Sequence, residues 1–339
     1  DITNSVLRIA FVFVLSLLGF SLYGVIFGYL LAIFIAVLQA YYYFLKVMPP
    51  RSGKGIHLRI RELTAFSIPV ALARLVNSGN GMLETLLLGY FMAESSVGIY
   101  TVALKISVVG AVILSSFNTM FAPIISRLHS QGRMEELNTL FSCVTRWAFS
   151  LSLPLFILVA WYASSVANLF GSEYMSGADT VAILCLGQVI NALTGPSGNL
   201  LLMSGYRLIN LWTNLGGLIL SVLLNIAMIP YYGIIGCALA VATTIAIINV
   251  IRVYLAWKVL GMHPYDMSYW KPIVAGILSV AFLYFAGPSR ETAVGPVGLL
   301  AMGAVTMLLY GFLLIAFGLT DADRYVFNRM RSRLGGKPS

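Results

Sequence analysis

An all-α, polytopic membrane protein is the fold class this sequence predicts, and three observations predict it. Hydrophobic residues fill 59% of the 339 positions and charged residues only 10%, with a mean hydropathy of +0.90; soluble domains carry about 25% charged residues. Apolar runs long enough to cross a hydrocarbon core of roughly 30 Å recur about ten times. Basic residues fall in alternate loops between those runs, as the positive-inside rule requires of cytoplasmic loops.

The expected spans are 5–20, 22–45, 64–91, 97–122, 146–170, 178–203, 207–229, 232–257, 271–287 and 296–318. The chain starts at Asp1 without an initiator methionine and enters the first span almost at once, so it reads as part of a longer protein. The second span opens on Tyr23-Gly24-Val25-Ile26 and closes on Tyr41, Tyr42 and Tyr43. Tyr232-Gly233-Ile234-Ile235, heading a run that ends near Tyr254, echoes it. Such repeats are common where two related helix bundles rock around a shared site. Matching the two segments divides the spans as two, six and two. Residues 1–45 are then the last two helices of an incomplete first bundle, 64–260 a six-helix second bundle, and 261–319 two additional helices.

Between the bundles, 46–63 combines Pro49-Pro50, Gly53 and Gly55 with Lys46, Arg51, Lys54, Arg59 and Arg61, which makes it a basic cytoplasmic linker. Arg127, Arg133 and Arg146 bracket the next loop but one, and Arg207, Lys258 and Lys271 continue the alternation. The loops near 92–96, 171–177, 230–231 and 288–295 hold Glu94, Glu173 and Glu291, with Arg290 as their only basic residue. Ten spans leave both ends cytoplasmic in a plasma-membrane protein. The tail 320–339 starts a short surface helix at Asp321-Ala322-Asp323 and ends in arginines.

The net charge of +9 is thus largely topological, and no soluble basic and aromatic platform offers itself to nucleic acid. Cys143, Cys185 and Cys237 are odd in number and widely spaced, which argues against a disulfide framework or a metal site. His57, His129 and His263 fall in or beside loops, as solvated side chains do. Asp321-Ala322-Asp323 spells D-x-D without a nucleotide-binding domain beside it, and no H-E-x-x-H, G-x-S-x-G or Walker loop occurs. The expectation is a monomer in membrane lipid that is not an enzyme and has no catalytic residue, bound metal or cofactor.

Arg74, Glu84 and Lys105 carry charge inside expected spans, where a charge at the bilayer centre costs ~2.5–3.5 kcal/mol and rarely faces lipid. At 100° per residue, Arg74, Asn77, Asn80, Gly81 and Glu84 fit an arc of about 120°, a single polar stripe. Lys105, Val112, Ser116 and Thr119 share a face of the next span in the same way. An Arg74–Glu84 or Lys105–Glu84 pair would staple the bundle, whereas a stripe of several turns suits a cavity wall. Gln188, Asn191, Gly195 and Asn199 form a second stripe, interrupted at Gly195-Pro196, where backbone carbonyls can open to a cavity. Asn210, Asn214, Gly217, Ser221 and Asn225 form a third, whose small and amide residues favour helix packing.

The run from Ser67 to Leu128 resembles the polysaccharide-biosynthesis flippases of the multidrug/oligosaccharidyl-lipid/polysaccharide exporter superfamily. The residues that carry the likeness are Ile68-Pro69, Leu86-Leu87-Leu88-Gly89-Tyr90-Phe91, Gly98-Ile99-Tyr100 with Ala103 and Lys105, and Ala122-Pro123-Ile124-Ile125-Ser126-Arg127-Leu128. Leu169-Phe170-Gly171 with Tyr174, and Pro230-Tyr231-Tyr232-Gly233-Ile234-Ile235-Gly236, extend it. The resemblance implies two six-helix bundles around a central cavity and translocation of an oligosaccharide carried on a polyprenyl phosphate or diphosphate to the outer leaflet. Arg74 and Lys105 would then meet the phosphate, and Asn77, Asn80, Gln188, Asn191 and Asn199 the sugar. Glu84 stands where relatives often have Asp followed by a basic residue, and Thr85 follows it here. That leaves Glu84 to bind a coupling cation, Na+ or H+, to pair with Arg74, or to fix its helix. Two other readings stay open: an ion-coupled drug antiporter, which needs an acidic cavity, and a membrane glycosyltransferase or ligase, which needs a large outer domain. A non-transporting scaffold would fill its polar stripes with protein contacts.

Overall fold

The computed structural model describes residues 10–11, 13–15, 21–47, 60–287 and 294–318, all within helices, turns and short loops with no strand among the described residues. Most of the first expected span, the linker core 48–59, Arg290, Glu291 and the tail with its D-x-D lie outside the described residues. The chain divides into two compact units, 1–60 and 61–339.

In the first unit, α1 covers Ser21–Val47. Its buried positions Gly24, Gly28 and Ala32 recur every fourth residue, a spacing at which small side chains let another backbone approach closely.

The second unit runs α2 (Ile60–Phe91), α3 (Glu94–Ser107), α4 (Ala111–Ser130), α5 (Met134–Trp161), α6 (Ala163–Asn168), α7 (Ala178–Thr194), α8 (Ser197–Met203), α9 (Arg207–Leu260), α10 (Trp270–Ala286) and α11 (Pro296–Ala316). Helix α7 is the hub, packed on α5, α9 and α3, while α10 and α11 pack on each other and on α5. Close approach at the hub depends on Gly187, where an added Cβ would come within 3.0 Å of the Ala242 backbone. One core joins Tyr100, Phe149, Phe156, Val181, Leu184 and Ile229; a second gathers Phe121, Ile125, Phe141, Leu200 and Leu201 toward the α8 end.

Seven of the described helical stretches are long and apolar enough to cross a membrane, which makes this a multi-pass membrane protein. Of the expected ten, 5–20 lies mostly outside the described residues and 207–229 with 232–257 count here as one stretch; the other departures have physical causes. The polar stripe of α2 lowers its mean hydropathy below that of a clear span. The expected span 97–122 is two helices, because Ala111, Val112 and Ile113 donate to carbonyls three residues back and reset the helix at 108–110. Gly110 permits the reset beside α5, since a Cβ there would sit 2.6 Å from the Phe156 ring. The expected span 146–170 likewise ends early, at Trp161, before the short α6. The 54 residues of α9 would run about 80 Å as one rod, and it bends instead at Gly233, whose φ of 57° and ψ of −132° are non-helical.

One buried charge fastens a loop to this frame. Arg146 of α5 donates to the carboxylate of Asp266, and Asp266 also accepts from the Ser268 amide at 2.9 Å, capping the turn that leads into α10. Close by, at the start of α10, Lys271 donates to the Gly318 carbonyl at 2.6 Å, beyond the last turn of α11.

Candidate functional site

Within the second unit, α2, α4, α7, α8 and α9 wall a cavity of about 660 Å³. Its polar lining comes from Arg74 and Asn80 of α2, Asn118 and Thr119 of α4, Asn191 of α7, Asn199 of α8, and Asn210, Thr213, Asn214, Thr244, Asn249 and Arg252 of α9. Among the described residues the lining holds two arginines and no acidic side chain, so its formal charge is +2.

The break between α7 and α8 forms one corner. Gly195 has φ of 59° and ψ of −152°, and a Cβ on it would lie 2.3 Å from Thr145, so both its conformation and its surroundings call for glycine. Hydroxyls meet the carbonyls loosened there: Thr194 donates to the Asn191 carbonyl at 3.0 Å, and Ser197 to the Thr194 carbonyl. The interruption brings the Asn191 and Asn199 side chains to the same cavity without stranding backbone groups.

Across that corner a chain of amides ends on Arg252. Its Nη1 donates to Asn249 Oδ1 at 3.4 Å, Asn249 Nδ2 donates to Asn191 Oδ1 at 3.1 Å, and Asn191 Nδ2 donates to Gln188 Oε1 at 3.2 Å. A second arm runs from Arg252 Nη2 to Asn214 Oδ1, and from Asn214 Nδ2 to the Ala73 carbonyl at 3.3 Å. The guanidinium can only donate, so every amide in both arms is forced to turn its oxygen toward Arg252. Aligned dipoles thereby solvate the cation without cancelling its charge. Each hydrogen bond to a charged group of this kind is worth ~1.5–3 kcal/mol, comparable to the cost of a charge at membrane depth.

The sequence-derived candidates separate into three groups. Arg74, Asn80, Asn191 and Asn199 meet at the cavity. Gln188 lies outside the lining but terminates the amide chain behind Asn191. Lys105 is exposed on α3 and is not in the lining, because the reset at 108–110 separates its face from Thr119, which is. The Asn77 side chain lies outside the described residues.

Glu84 takes neither cation as a partner among the described residues. It is 5% exposed, accepts from Ser221 Oγ at 3.4 Å, and has Tyr100 and Cys237 beside it. Asn225 braces Ser221 through its carbonyl at 2.8 Å and its hydroxyl at 3.3 Å. The expected Arg74–Glu84 or Lys105–Glu84 staple is therefore not formed among the described residues; the buried arginine that meets a carboxylate is Arg146, through Asp266. The 210–225 stripe, where packing is the favoured expectation, serves both ends. Asn210, Asn214 and Gly217 line the cavity, and only Ser221 and Asn225 are buried with Glu84.

Arg252, Asn249 and Asn118 enter the site unannounced by the sequence reading. Arg252 lies inside the expected span 232–257, so it carried the same signal as Arg74: a charge in an apolar run with an amide three residues away, Asn249 before Arg252 and Asn77 after Arg74.

Known proteins share this architecture. The lipid II flippase MurJ in its inward closed conformation superposes with a TM-score of 0.69 over 93% of this chain and 66% of its own, at 13% sequence identity. The teichuronic acid biosynthesis protein TuaB of Bacillus subtilis is 26% identical over 72% of this chain and 51% of its own length. The probable low-salt glycan biosynthesis flippase Agl15 of Haloferax volcanii is 21% identical over 58% of this chain and 43% of its own. This chain spans about half the length of the curated relatives it matches. Residues 1–179, more than half of the chain and including the α2–α4 motifs, match the model for polysaccharide biosynthesis proteins, and the chain belongs to that family.

Proposed function

We propose that this chain is the part of a lipid-linked saccharide flippase that carries a cationic, amide-rich cavity, and that it moves its ligand between membrane leaflets without making or breaking covalent bonds. The observation that carries the reading is the cavity's lining of two arginines, amides and hydroxyls without an acid. A carrier phosphate or diphosphate is anionic and needs cations to traverse a low-dielectric path; Arg74, exposed and free to follow the head group, suits that task. The saccharide needs neutral acceptors and donors. Asn80 Oδ1 and Asn118 Oδ1 are buried without a hydrogen-bond partner among the described residues, as acceptors for sugar hydroxyls would be. Asn191 and Asn199 line the same cavity.

The relatives, a probable glycan biosynthesis flippase and a teichuronic acid biosynthesis protein, support the same substrate class. Translocation runs from the cytoplasmic to the outer leaflet of the plasma membrane by alternating access, with the polyprenyl tail left in the bilayer. Glu84, buried against Ser221 and outside the cavity lining, is the place for a coupling proton or sodium ion. Lys105 serves the phosphate only from outside this cavity. The cavity's charge opposes the antiporter alternative, which calls for acidic lining.

The test replaces Arg74 by Ala in the full-length protein in cells and measures surface polysaccharide against protein level. Export should fall at least about tenfold, as expected for losing a desolvated charge contact; normal export at normal abundance would remove Arg74 from the mechanism.

A further inference from the structure

We propose that the Arg252 guanidinium, steadied by Asn214 and Asn249, is an oxyanion-binding point inside the cavity that takes a phosphate or carboxylate oxygen of the ligand. The inference rests on the proposed function only for where that oxygen comes from: the lipid carrier's phosphate, or an acidic sugar in the saccharide. The binding chemistry itself follows from the residues.

Arg252 has five N–H donors. Its Nη1 and Nη2 each serve one amide oxygen, while Nε–H is buried and has no hydrogen-bond partner among the described residues. The free edge faces a glycine of a neighbouring helix in the cavity lining. Gly198 of α8 lies against the guanidinium, and even an added Cβ would stay 3.5 Å from Nε and Cζ.

No carboxylate lines the cavity among the described residues, so nothing there competes for the charge. Because every amide of the two arms already points its oxygen at Arg252, the group is held in position and remains a full cation. A cation kept in a protein interior by dipoles alone is poised for an anion, since a carboxylate partner would have both fixed and neutralised it. The Asn214 arm also reaches the Ala73 carbonyl, next to Arg74 in the chain. Arg74 and Arg252 thus stand on connected walls, one exposed and adjustable, the other fixed.

The experiment titrates the chain, in lipid nanodiscs, with three probes: inorganic diphosphate, a short-chain prenyl diphosphate and a uronate disaccharide. Replacement of Arg252 by Gln should weaken binding of at least one anion about tenfold or more. Asn249→Asp, nearly identical in shape, should weaken it comparably by placing a carboxylate against the guanidinium, and it decides the matter should R252Q fail to fold. Arg133→Gln, at an exposed cation outside the cavity, is the control and should change nothing.

Loss confined to the diphosphates assigns the point to the carrier, and loss confined to the uronate assigns it to the saccharide. Unchanged affinities for all probes in both variants, or no anion binding by the unaltered chain, would overturn the proposal. Anion binding that depends on Arg252 alongside undiminished surface polysaccharide in cells lacking the full-length protein would instead defeat the flippase reading alone.

Discussion

Arg146 and Arg252 belong to one unit and both sit inside helices, yet they meet their surroundings in opposite ways. Arg146 is 5% exposed at its side chain and paired with Asp266, so its charge is cancelled where it stands. Arg252 is held by two neutral amides, and its charge survives. The difference teaches what each is for. A carboxylate partner makes a fastener, here tying the α9–α10 loop to α5. A cage of amide oxygens makes a fixed cation with work left for it.

The comparison breaks most sharply at the fastener. Asp266→Ala takes the carboxylate away from the buried Arg146, and should lower unfolding stability by about 3 kcal/mol; denaturant or thermal unfolding in detergent reads this, and diphosphate affinity in the folded fraction should hold. A loss of stability below about 0.5 kcal/mol would reduce the pair to a surface contact.

Asn249→Asp converts Arg252 to the Arg146 arrangement. Diphosphate affinity should drop about tenfold, roughly 1.4 kcal/mol, while the melting temperature stays or rises. Equal falls in stability and affinity would mean that Asn249 merely supports the fold.

Smaller effects sharpen the account along the amide chain. Asn191→Ala removes the link between Asn249 and Gln188 and should cost about 1 kcal/mol of stability, with a several-fold loss of anion affinity measured by the same titration. Gln188→Leu acts one step further back, outside the cavity lining, and should cost about 0.5 kcal/mol and less than about threefold in affinity. An order of effects that does not decline from Asn249 to Gln188 would sink the relay.

Much of the site was legible because helical periodicity survives translation into structure wherever a helix stays regular. Arg74 and Asn80 share the α2 stripe and the cavity wall, and the Gly195-Pro196 interruption marks the corner where Asn191 and Asn199 meet it. Lys105 shows the limit. The helix reset at 108–110 depends on a Phe156 ring from α5, a tertiary contact with no local signature, and it separates Lys105 from Thr119. Arg252 was obscured differently. It lies six residues before Lys258, near the end of an expected span where basic residues ordinarily set topology, so its charge looked like flanking charge.

The fold shows the same division. The family motifs and apolar runs announce a multi-pass helical protein, while the break at Tyr162 and the turn at Gly110, set against Phe156 of α5, are visible only in three dimensions. The dual use of the 210–225 stripe has a similar cause: one helix face passes from the cavity at Asn214 to the buried carboxyl of Glu84 at Ser221.

Photo-crosslinking with a lipid-linked saccharide that carries its reactive group beside the phosphate tests the central claim most directly. In membranes containing the full-length protein, label should map to the α2, α8 and α9 segments around Arg74, Gly198 and Arg252, and an excess of prenyl diphosphate should compete it away. Label confined to exposed outward residues such as Tyr90 or Tyr284, indifferent to that competitor, would contradict the account.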